Sequence, residues 1–176
     1  KCNRACGACS TVSGGYKNTT TSATYTTVSG GYKNSAGGAS SSIGGGACNA
    51  TTADFSRIGG GLRNTSSAGY TFIGGGINNC ASGDCAVVSG GFCNIASGGY
   101  SFIGGGFCNT APGTLTATIA GGFCNTASGY LNPTIGGGIC NTASGYYSTI
   151  SGGRANTASG YRNSTVGGGQ QNSASA

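Results

Sequence analysis

The sequence predicts an all-β fold, a parallel β-solenoid (β-roll or β-helix) of about twelve coils of 15–16 residues stapled by disulfides. Three observations carry this reading. First, the string Gly-Gly-x-x-Asn recurs, placing Asn at positions 18, 34, 49, 64, 79, 94, 109, 125, 141, 156 and 172, with Asn3 in an incomplete first copy. Second, a β-branched aliphatic stands six residues before each of these Asn, from Val12 and Val28 through Ile58 and Ile103 to Ile150 and Val166, as a buried strand position prefers. Third, 39 Gly, 23 Ser, 21 Thr, 21 Ala and 15 Asn make up 119 of the 176 residues, with two Pro. The glycines come in doublets and triplets, not at every third position as collagen requires. A helix is untenable, because each interior Gly costs about 1 kcal/mol there.

Each column of the repeat has a physical reading. Two residues before the Asn lies a second apolar column: Tyr16, Tyr32, Leu62, Ile77, Phe92, Phe107, Phe123 and Ile139. Two residues after it lies a small column that includes Ala36, Ala81, Ala96, Ala127, Ala143 and Ala158. Side chains alternate faces along a strand, so the aliphatic, the second apolar column, Asn and Ala are all expected to point inward. The Gly pair between the two apolar columns is expected at one corner, where φ > 0 costs Gly nothing, and the Gly of Ala-Ser-Gly at another. Asn18, Asn34, Asn49, Asn64, Asn79, Asn94, Asn109, Asn125, Asn141, Asn156 and Asn172 are expected to form an internal amide ladder that satisfies buried polar groups.

The repeat spans residues 1–176 without linker or charged tail, so the chain reads as a single domain in which each coil contacts only its neighbours. At roughly 4.8 Å per coil the rod is about 55 Å long. The repeat begins and ends mid-coil, uncapped, and is read as part of a longer chain or as a filament subunit that stacks end to end.

Composition excludes most chemistry. Asp54 and Asp84 are the only carboxylate side chains and His is absent, whereas general acid–base catalysis needs His, Glu, Asp or a tuned Lys in a cleft. No enzyme and no cofactor are expected. The net charge of +6 is dispersed, which argues against nucleic acid. Two Asp cannot supply repeat-type calcium sites, Gly-Gly-Gly lacks the Gly-Lys-Ser/Thr of a phosphate loop, and no stretch is apolar enough to insert in a membrane.

The ten Cys point to an oxidising compartment. Cys2, Cys48, Cys93, Cys108, Cys124 and Cys140 share the column immediately before the Asn. Coil spacing puts same-column Cα atoms within the roughly 4.4–6.8 Å that a disulfide allows. Cys93–Cys108 with Cys124–Cys140 is one pairing, and Cys108–Cys124 fits equally well. Cys80 with Cys85, and Cys6 with Cys9, flank corners and are candidates for local closure. Cys2 and Cys48 lack a column neighbour and are candidates for interchain bonds. A zinc or redox reading of Cys6–Cys9 lacks the further ligands or the βαβ context it needs.

The motif GGGxxNTASG, preceded by Ser-Thr-Ile/Val, resembles a repeat of bacterial, algal and viral surface and tail-fibre proteins. It is also similar to the head repeats of trimeric autotransporter adhesins. The likeness covers the whole chain, although the unit here is a residue or so longer and carries Cys. The resemblance implies left-handed parallel β-rolls, surface display and a structural or adhesive task, with no catalytic residues to carry over.

Outward positions complete the reading. Thr110, Thr126, Thr142 and Thr157, with Ser128, Ser144 and Ser159, form a Thr-x-Ser array that resembles the ice-contact faces of insect-type antifreeze proteins. Phe55, Tyr70, Tyr100 and Tyr147 recur nine residues before an Asn and are read as packing residues. Of four glycosylation sequons, Asn163 lies at a corner and is the candidate acceptor. The expected function is a non-catalytic extracellular or cell-surface structural protein, a fibre subunit or adhesin shaft whose partner is itself, with surface glycans as a further partner. Ice binding ranks second, and a trimeric viral tail-fibre segment third.

Overall fold

The computed structural model describes residues 2–113 and 115–175 and is a parallel β-solenoid of about eleven turns. Two-residue strands alternate between two sheets. One sheet has twelve strands, from Arg4–Ala5 to Ser173–Ala174, and the other eleven, from Thr11–Val12 to Thr165–Val166. Every pairing is parallel and joins equivalent residues of consecutive coils, as in Thr126↔Thr142 and Ile135↔Ile150. The all-β solenoid expected from the repeat is the fold observed. Its first copy is incomplete, which leaves about eleven full turns instead of twelve coils.

The strands are short because a corner interrupts the chain every few residues, so each strand offers one residue to the core and one to solvent. Three predicted columns are buried: the Val/Ile column, the Asn column and the small column two residues after the Asn. A fourth inward column, eight residues before the Asn, comprises Thr26, Ser41, Ser56, Thr71, Ala86, Ser101, Ala117 and Ser148, among others. Hydroxyls meet across this thin core: Thr51 Oγ1 donates to Ser41 Oγ at 3.1 Å, and Ser66 bonds Thr71. In the same column the hydroxyls of Ser101, Ser148 and Ser164 are buried without a partner.

The column two residues before the Asn does not point inward. Tyr16, Tyr32, Leu62, Ile77, Phe107, Phe123 and Ile139 are 36–46% exposed. The cause lies in the intervening residue, which adopts the left-handed conformation in every coil from Lys17 (φ 56°) to Gln171 (φ 56°). A left-handed residue breaks strand alternation, so the Asn turns in while the residue before the corner turns out.

The second Gly of each pair takes the positive φ expected at that corner, whereas the Gly of Ala-Ser-Gly does not. Gly122 has φ 98°, and a Cβ there would lie 2.3 Å from Gly138 O and 2.6 Å from Asn125 Nδ2; Gly is needed both for conformation and to admit the Asn amide. By contrast, Gly129 of Ala-Ser-Gly is not left-handed. It is Gly because a Cβ would lie 2.3 Å from the backbone of Gly145 in the next coil. The second corner's left-handed residue falls later in each coil, as at Tyr25, Phe55, Tyr70, Cys85, Tyr100, Thr116, Asn132, Tyr147 and Asn163.

Candidate functional site: the outward columns

The Asn column holds the coils in register and leaves the outward columns free to present side chains. Asn109 is typical. Its Nδ2 donates to Gly105 O in its own coil and to Gly122 O in the next, both at 2.9 Å, and its Oδ1 accepts the Asn125 amide at 3.0 Å. The same three bonds recur from Asn18 to Asn156. Asn172 is exposed and donates to Gly168 O. Each such amide therefore ties three backbone groups together: a Gly carbonyl of its own coil, the N–H of the next Asn, and a next-coil Gly carbonyl that also accepts a backbone N–H, as Gly122 O does from Phe107.

Outside this frame, one apolar stripe runs along the rod. Bridges link Tyr16, Tyr32, Ala47, Leu62, Ile77, Phe92, Phe107, Phe123 and Ile139 in unbroken succession. Phe92, Phe107 and Phe123 stack with centroids 4.9 and 5.0 Å apart and planes within 9°. Toward the N-terminus the stripe gains cations: Lys17 and Lys33 place Nζ 5.2 and 5.0 Å from the Tyr16 and Tyr32 rings. Tyr32, through hydrogen bonding and then charge, holds Lys33 above the ordinary lysine value.

The ten cysteines are free thiols, which corrects the expectation of disulfide staples. Cys93, Cys108, Cys124 and Cys140 do occupy one row, all at φ 52–54°. Each amide from Cys108 onward is bonded to the carbonyl preceding the row's previous cysteine, at 2.9 Å. In-register neighbours have parallel Cα–Cβ bonds, so their Cβ atoms keep the coil spacing of roughly 4.8 Å, beyond the roughly 3.5–4.5 Å a disulfide needs. Cα proximity alone was a poor criterion. Burial, followed by the neighbouring Cys93 and Cys124, pushes the Cys108 thiol up.

The candidate local pairs are likewise free thiols. Cys80 lies on a strand between Thr65 and Ile95, whereas Cys85 is a left-handed corner residue, so the two belong to separate columns. Cys9 is likewise a corner residue (φ 56°), and Cys6 precedes that corner, with its amide on Thr20 Oγ1 at 3.1 Å. Cys48 sits between Lys33 and Arg63 in its column and is partly exposed, while Cys2 is exposed.

The remaining predicted residues fall as follows. Thr110, Thr126, Thr142 and Thr157 pair in register on one sheet, with Ser128, Ser144 and Ser159 exposed beside them. Thr118, Thr134, Thr149 and Thr165 make a matching row on the other sheet. Asn163 is exposed at a corner, while the sequon residues Asn18, Asn49 and Asn64 are fully buried. Phe55, Tyr70, Tyr100 and Tyr147 are exposed at corners, where Phe55 and Tyr70 stack along the rod with centroids 4.9 Å apart. Asp54 and Asp84 accept backbone amides of the preceding coil, from Ala39 at 2.7 Å and Gly69 at 3.2 Å, which ties both carboxylates to the frame.

One cluster escaped the sequence reading. Tyr130, Tyr146 and Tyr161 meet edge to face at 5.5 and 5.4 Å, and Arg162 lies 5.4 Å over the Tyr161 ring. They line two shallow grooves of about 350 and 310 Å³. The signal was present as Ala-Ser-Gly-Tyr, repeated at 127–130, 143–146 and 158–161.

Residues 117–129 match the ubiquitous surface protein adhesin repeat. That segment holds one copy each of the inward columns, from Ala117 and Ile119 through Asn125 to Ala127. No curated protein matches the chain. The adhesin-repeat match and the solenoid together fit a surface-adhesin-like repeat protein with a structural rather than enzymatic task.

Proposed function

We propose that this chain is a non-catalytic structural rod at the cell surface, the shaft of an adhesin or fibre, that associates with copies of itself. The apolar stripe from Tyr16 to Ile139 carries the proposal. Monomeric proteins seldom expose an unbroken apolar strip of this kind, and each half-exposed ring offers on the order of 2 kcal/mol when covered. A stripe that passes from coil to coil along the rod suits side-by-side association with an identical rod, leaving the Thr/Ser rows and the tyrosine grooves outward for glycans or other surfaces.

Sedimentation of the chain and of Phe107→Asp tests this. The parent is expected to self-associate with rising concentration and the variant to shift toward monomer. A parent that stays monomeric at all concentrations ends the proposal. A discrete trimer would favour the fibre-segment form, and growth in single-rod-width filaments would favour end-to-end stacking. A second reading, ice binding, draws on the in-register Thr110, Thr126, Thr142 and Thr157; absence of thermal hysteresis removes it.

A further inference from the structure

The apolar stripe is bridged through nine coils from Tyr16 to Ile139, with Ile77 at its midpoint. At roughly 4.8 Å per coil it is about 38 Å long. An interface of about 800 Å² per partner then needs a width of about 20 Å, so the column beside the stripe is part of any stable contact the stripe makes. That column stands one residue later in each coil. It holds Lys17, Lys33, Cys48 and Arg63 before the midpoint, Asn78 at it, and Cys93, Cys108, Cys124 and Cys140 after it. All of these are left-handed corner residues and none is buried.

The two halves of both columns differ, and the difference selects one way of pairing two rods. We propose, on the reading that rods associate through this stripe, that the partner is a second copy of this chain lying antiparallel, related by a two-fold axis that crosses the rods at the Ile77 coil. Size decides the direction. Parallel rods in register set Ala47 against Ala47 and Phe107 against Phe107, a gap in one place and a bulge in another. The antiparallel pair sets Ala47 against Phe107 and Leu62 against Phe92, so that small faces large. Charge decides the register. Lys17 then faces Cys140, Lys33 faces Cys124, Arg63 faces Cys93, and no cation of the column meets another. Moving the axis one coil toward the N-terminus would set Arg63 against its own copy, a like-charge contact that costs affinity. At the axis Asn78 meets Asn78, and each amide can both donate and accept. The contact is isologous, so Cys48 of each copy faces Cys108 of the other. An axis parallel to the rods would instead carry the two corner columns to opposite edges of the contact, where no cysteine pair meets.

Crosslinking between Cys48 and Cys108 reads this orientation. With glutathione disulfide as oxidant, the two thiols form one sulfur–sulfur bond, and the two electrons and two protons they give up convert the oxidant to two glutathione thiols. Two full-length chains are needed, one with every cysteine except Cys48 replaced by Ser and one with every cysteine except Cys108 so replaced. Each alone should give no crosslinked dimer on a non-reducing gel, because its thiol faces Ser, whereas their mixture should give one. Dimer from either chain alone, or a mixture that sediments as paired rods yet does not crosslink, would overturn the orientation and leave side-by-side association standing. Rods that sediment as monomers overturn both. Circular dichroism checks each fold. If a single-cysteine chain does not fold, the parent decides: Cys48→Ser should lose its crosslinked dimer and Cys124→Ser, which faces Lys33, should keep it, and a dimer that survives Cys48→Ser refutes the pairing.

Discussion

Replacing Asn109 tests whether the amide column holds the solenoid together. Asn109 is fully buried, and Asn109→Ala removes three bonds to backbone. Their costs differ. The Asn125 N–H would be left buried without an acceptor, about 1–3 kcal/mol. Gly105 O would lose its amide donor, whereas Gly122 O would keep the Phe107 amide at 2.9 Å; these two losses add about 1 kcal/mol each. The expected destabilisation is about 3–5 kcal/mol, large against a typical domain stability of about 5–15 kcal/mol.

Asn109→Asp sharpens the test. The carboxylate keeps the Asn125 contact but turns an oxygen toward two carbonyl oxygens in a buried site. Burial and those dipoles raise its folded pKa above the unfolded value of about 3.9. The sign follows: the raised pKa contributes stability that is present below about pH 4 and lost as pH rises through the folded pKa. Urea unfolding of both variants between pH 3 and pH 7 measures this. A cost below about 1 kcal/mol for Asn109→Ala, or an Asn109→Asp stability that is flat or increases with pH, would refute the account.

Other predictions follow from single columns. Ser101→Ala should stabilise the chain by about 1 kcal/mol, since it deletes a buried hydroxyl without a partner at a column position where Ala86 and Ala117 already fit; urea midpoints decide. Gly122→Ala should cost at least about 3 kcal/mol through φ strain and backbone collision, whereas Gly121→Ala, whose Cβ would meet nothing nearer than 3.8 Å, should be close to neutral by thermal melting. Ala155→Gly, at φ 54°, should gain about 0.5–1 kcal/mol by relieving left-handed strain, and an unchanged melting temperature would argue that the corner carries no strain.

The inward columns were readable because period and chemistry agree: Val or Ile at one position, Asn at another and small residues at a third leave little choice of partner. What was misread depends on direction rather than identity. Counting strand alternation from Ile103 to Asn109 assumes extended backbone, yet Cys108 is left-handed (φ 52°), and so Phe107 was placed inside. Nothing in a Cys, Lys or Tyr marks it as a left-handed residue; only the closing of the coil does. The buried column of Ser101 and Thr71 was missed because its hydroxyl residues look like a polar outer face, although it never carries a charge. The disulfides were overread because spacing along the rod says nothing about the direction of Cβ.

Non-glycine residues take the left-handed state at both corners of nearly every coil, each at about 1–2 kcal/mol. Such strain persists only where surrounding structure over-determines it. Here the determinants are the parallel ladders, the Asn amides and the close-packed glycines, all of which use inward atoms or backbone. The corner side chains contribute none of these bonds. They are therefore free to be Lys, Arg, Cys, Tyr, Phe or Asn without altering the coil, and the sequence uses that freedom in blocks: cations early in one column, thiols in its middle, tyrosines beside the other corner toward the C-terminus. A frame whose backbone sets a coil spacing near 4.8 Å turns any run of like corner residues into an evenly spaced row. For this chain, function is to be sought in the runs of corner residues and their spacing, because the inward columns serve only to build the rod.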